Sequence, residues 1–158
     1  MIYEENRLPG NFTKDRTIKP KGIILHHTGD YSRHSIESTF TNPESKASAH
    51  VVIWKDGSRT IFVEDDLKAW HAGVSEFMGM KNCNNFILGV EFHGDTNNEP
   101  LTFNQIDSFI EWSAPRIVKF RIHKEWITDH RTVAPGRKVD LNPKELERVL
   151  TAIKYFWL

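Results

Sequence analysis

The stretch GIILHH, residues 22–27, decides what kind of fold this chain adopts. It is a short, Ile-rich apolar run that begins at a glycine just after Pro20, the pattern of a buried strand. It stops at two imidazoles, His26 and His27, which an all-apolar core would not choose. Three further β-prone stretches follow. AHVVIWKDGSRTIFVE (49–64) holds two strand-like runs around Asp56-Gly57, a strong two-residue hairpin signal. NFILGVEFHG (85–94) reads as another strand, with Glu91 set among apolar neighbours that imply at least partial burial. EWITDH (125–130) is a final strand that again ends in a histidine, His130.

Helices are announced by their starts. Thr102 followed by Gln105 forms a capping box ahead of IDSFIEWSAPRIVKF, in which Pro115 should kink or divide the helix. Asn142-Pro143 with Glu145 supplies a cap, a proline at the first helical position and a capping-box acid for KELERVLTAIKYFWL. A shorter helix is expected over about 35–41, and residues 1–20 read as an irregular lead-in. The expectation is an α/β fold in which a mixed central β-sheet is flanked by helices, built as one domain over residues 1–158.

Bulk properties narrow the function. A chain of 158 residues buries roughly two thirds of its unfolded surface without needing a structural metal, so a bound metal would serve chemistry. The 21 basic and 21 acidic residues balance, which removes the electrostatic footprint expected for nucleic acid or an anionic membrane. Cys83 is the single cysteine and allows no internal disulfide. The polar N-terminal stretch and the lack of a long apolar run predict a soluble, cytoplasmic protein, and a monomer is expected.

Strand ends meet at one edge of a sheet, so His26 or His27, Glu91 and His130 can converge there, joined by Asp140 in the loop before the last helix. Imidazole nitrogens with one carboxylate are the donors of catalytic zinc, which keeps a fourth position for water. Spacing alone leaves these residues open to blander roles, since neither HExxH nor paired CxxC is present. An isolated histidine at a strand end is more often a hydrogen-bonded boundary residue, and a carboxylate before a helix suits the helix dipole anyway.

Five motifs in order, IILHHTG, SAHVVIWKDG, AWHAGVS, CNNFILGVEFHGD and DHRTVAPGRKVD, resemble those of the N-acetylmuramoyl-L-alanine amidase type 2 family. That family includes peptidoglycan recognition proteins, phage endolysins and the anhydro-muropeptide amidases of cell-wall recycling. The resemblance runs over about residues 20–145. It is nearest to the recycling branch, where the last ligand is an Asp ten residues after the second His, as in His130 to Asp140.

The resemblance implies the fold of that family and a Zn2+ ion held by His26, His130 and Asp140. Neighbouring strand side chains point to opposite faces, so His26 and His27 cannot both serve, and His26 matches the motif. Glu91 matches the family's catalytic Glu and Lys138 the Lys beside the substrate carbonyl. Trp70 and His71 would line the substrate groove, His50 would support the site or the sheet, and Arg137, with Arg131, would receive stem-peptide carboxylates.

The implied reaction is hydrolysis of the amide between the lactyl group of N-acetylmuramic acid and L-alanine, in peptidoglycan or a muropeptide. Two departures bear on substrate. The His26–Ser48 segment lacks the long insertion typical of recycling enzymes, and Asp140 is followed by LNP rather than a Pro-Gly turn. The short segment favours a compact phage-type endolysin that a helper delivers to the wall. A recycling amidase and a non-catalytic peptidoglycan-binding module are the alternatives.

Overall fold

Residues 22–27 are hydrogen-bonded on both sides, which explains why their hydrophobicity is continuous rather than alternating. The computed structural model describes residues 2–14 and 19–157. Its strands and helices run, in chain order, β1 (Glu5–Arg7), β2 (Phe12–Thr13), β3 (Gly22–His27), α1 (Arg33–Thr41), β4 (Val51–Ile53), β5 (Arg59–Ile61), β6 (Lys68–Ala69), β7 (Glu76–Phe77), β8 (Met80–Lys81), β9 (Ile87–Phe92), α2 (Phe103–Phe120), β10 (Ile127–Asp129), α3 (His130–Val133) and α4 (Pro143–Ile153). Six strands form the central sheet in the order β1-β5-β4-β9-β3-β10. The one antiparallel pair in it is β4 with β5, the hairpin read around Asp56-Gly57, and every other pairing is parallel.

Parallel register places the site. Because β3, β9 and β10 run the same way, their C-terminal ends emerge at one edge of the sheet, where α/β folds bind ligands. Glu91 pairs with His26 on one side and with Val52 on the other, while Leu25 pairs with Asp129. His26, Glu91 and, one step beyond the last β10 pair, His130 therefore stand in one row.

Alternation then assigns faces. Ile23, Leu25, Leu88, Val90 and Phe92 pack with Phe109, Trp112 and Ile117 of α2 and with Val149 and Ile153 of α4. Ile24 and Ile87 look the other way, toward Ala72, Phe86 and Val133, and Val52 packs with Ile36 and Phe40 of α1. His26 and Glu91 share that second face, the face without the two long helices.

Several local expectations change. The lead-in is not irregular throughout: β1 extends the main sheet and β2 pairs with β6, while residues 15–18 lie outside the described residues. β1 is tied down by Arg59, a buried cation whose Nε donates to Glu5 (3.0 Å) and Nη2 to Glu111 (3.0 Å). Its Nη1 reaches the Ser108 carbonyl (3.2 Å) and hydroxyl (3.0 Å). Pro115 does not divide α2, which has both halves of its capping box and runs unbroken to Phe120. Core burial on both sides of the proline, at Trp112 and Ile117, holds it together.

In α4, Asn142 caps and Pro143 takes the first position as expected, but Glu145 does not complete a box. Its buried carboxylate accepts from the Leu101 amide (3.0 Å) and from Arg148, and the Asn142 amide donates to the Thr96 hydroxyl (2.9 Å) instead. Tertiary donors outcompete the local one. Among the described residues no helix is long and apolar enough to cross a membrane.

Candidate metal centre

Asp129 explains how the loop from 130 to 141 closes on itself. This fully buried carboxylate ends β10 and caps α3, accepting from the Thr132 amide (2.9 Å) and hydroxyl (2.6 Å). Its other oxygen accepts from the Leu141 amide (3.2 Å) and Arg131 (3.2 Å), and the Arg131 amide donates to the Asp140 carbonyl (2.6 Å). Gly136, at a φ of +78°, makes the turn in between. His130, at the start of the loop, and Asp140, at its end, thus face the same space.

His26, His130 and Asp140 are all buried, and one ligand atom from each lies within 4.8 Å of the others. The two Nδ1 atoms are 2.9 Å apart, and Asp140 Oδ2 lies 3.6 Å from His26 Nδ1 and 3.5 Å from His130 Nδ1. Hydrogen bonding fixes which nitrogens point inward. His130 Nε2 faces the Ala72 carbonyl (3.1 Å), which only accepts, so that nitrogen carries the hydrogen. His71 Nε2 likewise faces the Ile87 carbonyl (3.1 Å), leaving His71 Nδ1 to accept from His26 Nε2 at 2.9 Å.

In their neutral forms both ligand rings therefore present bare Nδ1 lone pairs to each other and to a carboxylate. Such a group repels itself unless a cation sits among the three atoms. Two imidazoles and one carboxylate are a zinc donor set, so these residues fit that metal.

Electrostatics support the same assignment. Burial, followed by the neighbouring His130, holds His26 well below the usual imidazole range, so it stays neutral and able to ligate. Glu91 Oε1 is 3.9 Å from His26 Nδ1, and its buried Oε2 has no hydrogen-bond partner in the structure. Burial, then the Asp140 charge, push the Glu91 carboxyl well above its usual range, while Lys138 pulls it down. A cleft of about 420 Å³ opens over these groups, and its lining includes Glu91, His130, Lys138 and Asp140 with Phe40 and Trp70.

The remaining sequence candidates fall into two sets. Lys138, Trp70 and Arg137 line the cleft, although Arg137 Nη2 also donates to the carbonyls of Ala72 (2.7 Å) and Val74 (2.8 Å). His71 lines it too, but both its ring nitrogens are engaged inside the protein. Arg131 donates to Asp129 and to the Leu141 carbonyl, and it is not among the residues that line the cleft. His50 supports the sheet, accepting from the Gly89 amide (3.0 Å) and facing the Leu67 carbonyl (2.9 Å). His27 borders the cleft and its amide donates to Asp140 (3.3 Å), but its ring turns to Thr96, with Nδ1 accepting from the Thr96 amide (3.0 Å).

Sequence reasoning missed Asp129, Thr96 and Gly89. Asp129 did carry a signal, an Asp three residues before Thr132 at a strand end, which is a cap pattern. Thr96 and Gly89 carried none, because their partners lie far along the chain.

The sequence profile of a family described as N-acetylmuramoyl-L-alanine amidase matches residues 16–143. The 1,6-anhydro-N-acetylmuramyl-L-alanine amidase AmpD of Haemophilus influenzae is 35% identical over 113 residues, covering 70% of this chain and 61% of that protein, less than two thirds of its length. The AmpD of Escherichia coli is 35% identical over 141 residues, covering 78% and 76%. A crystal structure of a selenomethionine derivative of AmpD superimposes with a TM-score of 0.85 at 26% identity, over 97% of this chain and 96% of that one.

Proposed function

This chain belongs to the N-acetylmuramoyl-L-alanine amidase family, and from that we propose that it is a zinc-dependent amidase that hydrolyses the lactyl amide of an anhydro-muropeptide. The observation that carries the reading is the convergence of the bare Nδ1 atoms of His26 and His130 on Asp140, beside a buried Glu91.

His26 and His130 would hold the metal as neutral donors, and Asp140 would supply the negative charge. Zinc bound there would supply Lewis-acid polarisation and lower the pKa of a water to about 7. Glu91 takes the proton as the water oxygen adds to the lactyl carbonyl carbon. Glu91 must be ionised to take it, and the neighbouring Lys138 charge favours that form. As the carbon–nitrogen bond breaks, Glu91 passes the proton to the alanine nitrogen, which leaves as the amine. Lys138 donates to the carbonyl oxygen while negative charge builds on it, a contribution of about 3 kcal/mol for one well-placed donor. Trp70 and Phe40 give the cleft apolar walls for a sugar face, and Arg137 offers its remaining guanidinium edge to a stem-peptide carboxylate.

The relatives' names favour an anhydro-muropeptide over the intact wall, reversing the order suggested by the short His26–Ser48 segment. That segment folds as α1 and a 3-10 turn, and Phe40 and Ala47 from it line the cleft. A wall lysin is thus the second reading. Mass spectrometry of products from anhydro-muropeptide and from purified sacculi separates the two. Release of L-alanyl peptide from the muropeptide, stopped by chelator and restored by zinc, is the expected result. Release from sacculi alone would favour the lysin, and no release from either would leave a binding module.

A further inference from the structure

We propose that His71 and Ala72, adjacent residues of one loop, set the tautomers of both metal-binding histidines, with His71 as the positioning residue for His26. The inference rests on the reading of His26 and His130 as ligands and adds what fixes their chemical form.

Among the groups packed on the two rings, one dipeptide meets both Nε2 atoms. His130 Nε2 donates to the Ala72 carbonyl (3.1 Å), and His26 Nε2 donates to the His71 ring (2.9 Å). A carbonyl can only accept, so it holds its histidine in one tautomer without help. An imidazole can donate or accept, so His71 performs the same service only because its own Nε2 hydrogen is committed to the Ile87 carbonyl (3.1 Å). The relay runs from Ile87 through His71 to His26, and it ends on the bare Nδ1 that faces Asp140. Outer partners of this kind fix ring orientation and raise ligand basicity.

The loop is itself clamped. Asn84 Oδ1 accepts from the amides of His71 (3.1 Å) and Ala72 (2.8 Å), and the two imidazole planes of His26 and His71 meet edge-on at 90°. Room for the His71 ring comes from Gly89 in the central strand β9, where an added Cβ would fall on the imidazole itself. The strand gives up side-chain volume beside its most functional residue, Glu91, in order to seat a histidine.

Two substitutions divide the functions of the ring. His71→Asn keeps an acceptor at the Nδ1 position and loses the Nε2 donor, whereas His71→Gln keeps the distal amide and loses the proximal acceptor. Zinc affinity is read by competition with a colorimetric chelator. The Gln variant should bind about 10- to 100-fold more weakly than the wild type, and the Asn variant should fall between the two, since it keeps an acceptor beside His26 but loses the Ile87 contact that orients it. Gln binding as tightly as wild type, or Asn failing while Gln succeeds, overturns the proposal.

A measurement on the unmodified zinc-loaded protein needs no variant to fold. Nitrogen NMR should show a through-hydrogen-bond coupling between His26 Nε2 and His71 Nδ1, with the proton on His26. A proton on His71 Nδ1 overturns the proposal. If the wild type binds no zinc at all, the metal reading fails and this inference with it. If it binds zinc and only the Gln variant behaves unexpectedly, the metal reading stands alone.

Discussion

Glu91 Oε1 lies 3.9 Å from His26 Nδ1, because the two residues are register partners on the neighbouring parallel strands β9 and β3. A carboxyl with an unpartnered buried oxygen is thereby held against a nitrogen that lacks a hydrogen, an arrangement that costs stability when no cation is present.

Glu91→Gln should therefore stabilise the metal-free protein at neutral pH. The folded-state pKa of Glu91 is raised, so its contribution is fully favourable below the ordinary carboxyl value of 4.5 and is lost as pH climbs toward the folded value. Thermal melts of both proteins in chelator should separate above that pH and coincide below it. The same variant should keep its zinc and lose about 10²- to 10⁴-fold in turnover. Undiminished turnover would take Glu91 out of the reaction.

Asp140→Ala removes the only anionic donor of the triad. Metal content measured after dialysis should fall to background, while secondary structure by circular dichroism stays intact. The backbone of the loop is held chiefly by Asp129 and Arg131, and the Asp140 side chain adds one hydrogen bond from the His27 amide (3.3 Å). Full zinc occupancy would remove Asp140 from the centre.

Gly89→Ala places a methyl group on the His71 ring and should cost about 1–3 kcal/mol of stability by overpacking. Denaturant melts measure that cost. Zinc affinity should fall as well, since the ring must shift from His26. A stability equal to wild type would show that the ring moves freely.

Arg59→Leu tests the edge of the sheet far from the chemistry. It strips the shared partner from Glu5 and Glu111 and should destabilise by about 3 kcal/mol. Zinc affinity at a temperature where the variant is folded should not change.

How much of this was legible in the sequence follows from the range of each interaction. The strands, the 56–57 hairpin and the capping box of α2 depend on residues a few positions apart and formed where the sequence placed them, except that the strand expected over 125–130 is cut to Ile127–Asp129, with Glu125 and Trp126 in a 3-10 turn and His130 opening α3. Strand alternation put His26 and His27 on opposite faces and the motif chose between them; the His26 ring meets His130 while the His27 ring meets Thr96. Glu145 was misread because its carboxylate found the Leu101 amide, 44 residues away, in preference to its own helix start. The strand at Glu5–Arg7 was missed because it has no apolar alternation of its own and is held by Arg59. The second layer of the site, His71 with Gly89 and Ala72, depends on which groups meet across the fold, and no local pattern encodes it.

β3 precedes both of its sheet neighbours in the chain, yet ends up wedged between them. On the ribosome, the first histidine emerges long before the residues that complete its coordination. A nascent chain thus cannot bring His26, His130 and Asp140 together until residue 140 has emerged. Any metal site built on these three side chains would then assemble only once β3, β9 and β10 have paired.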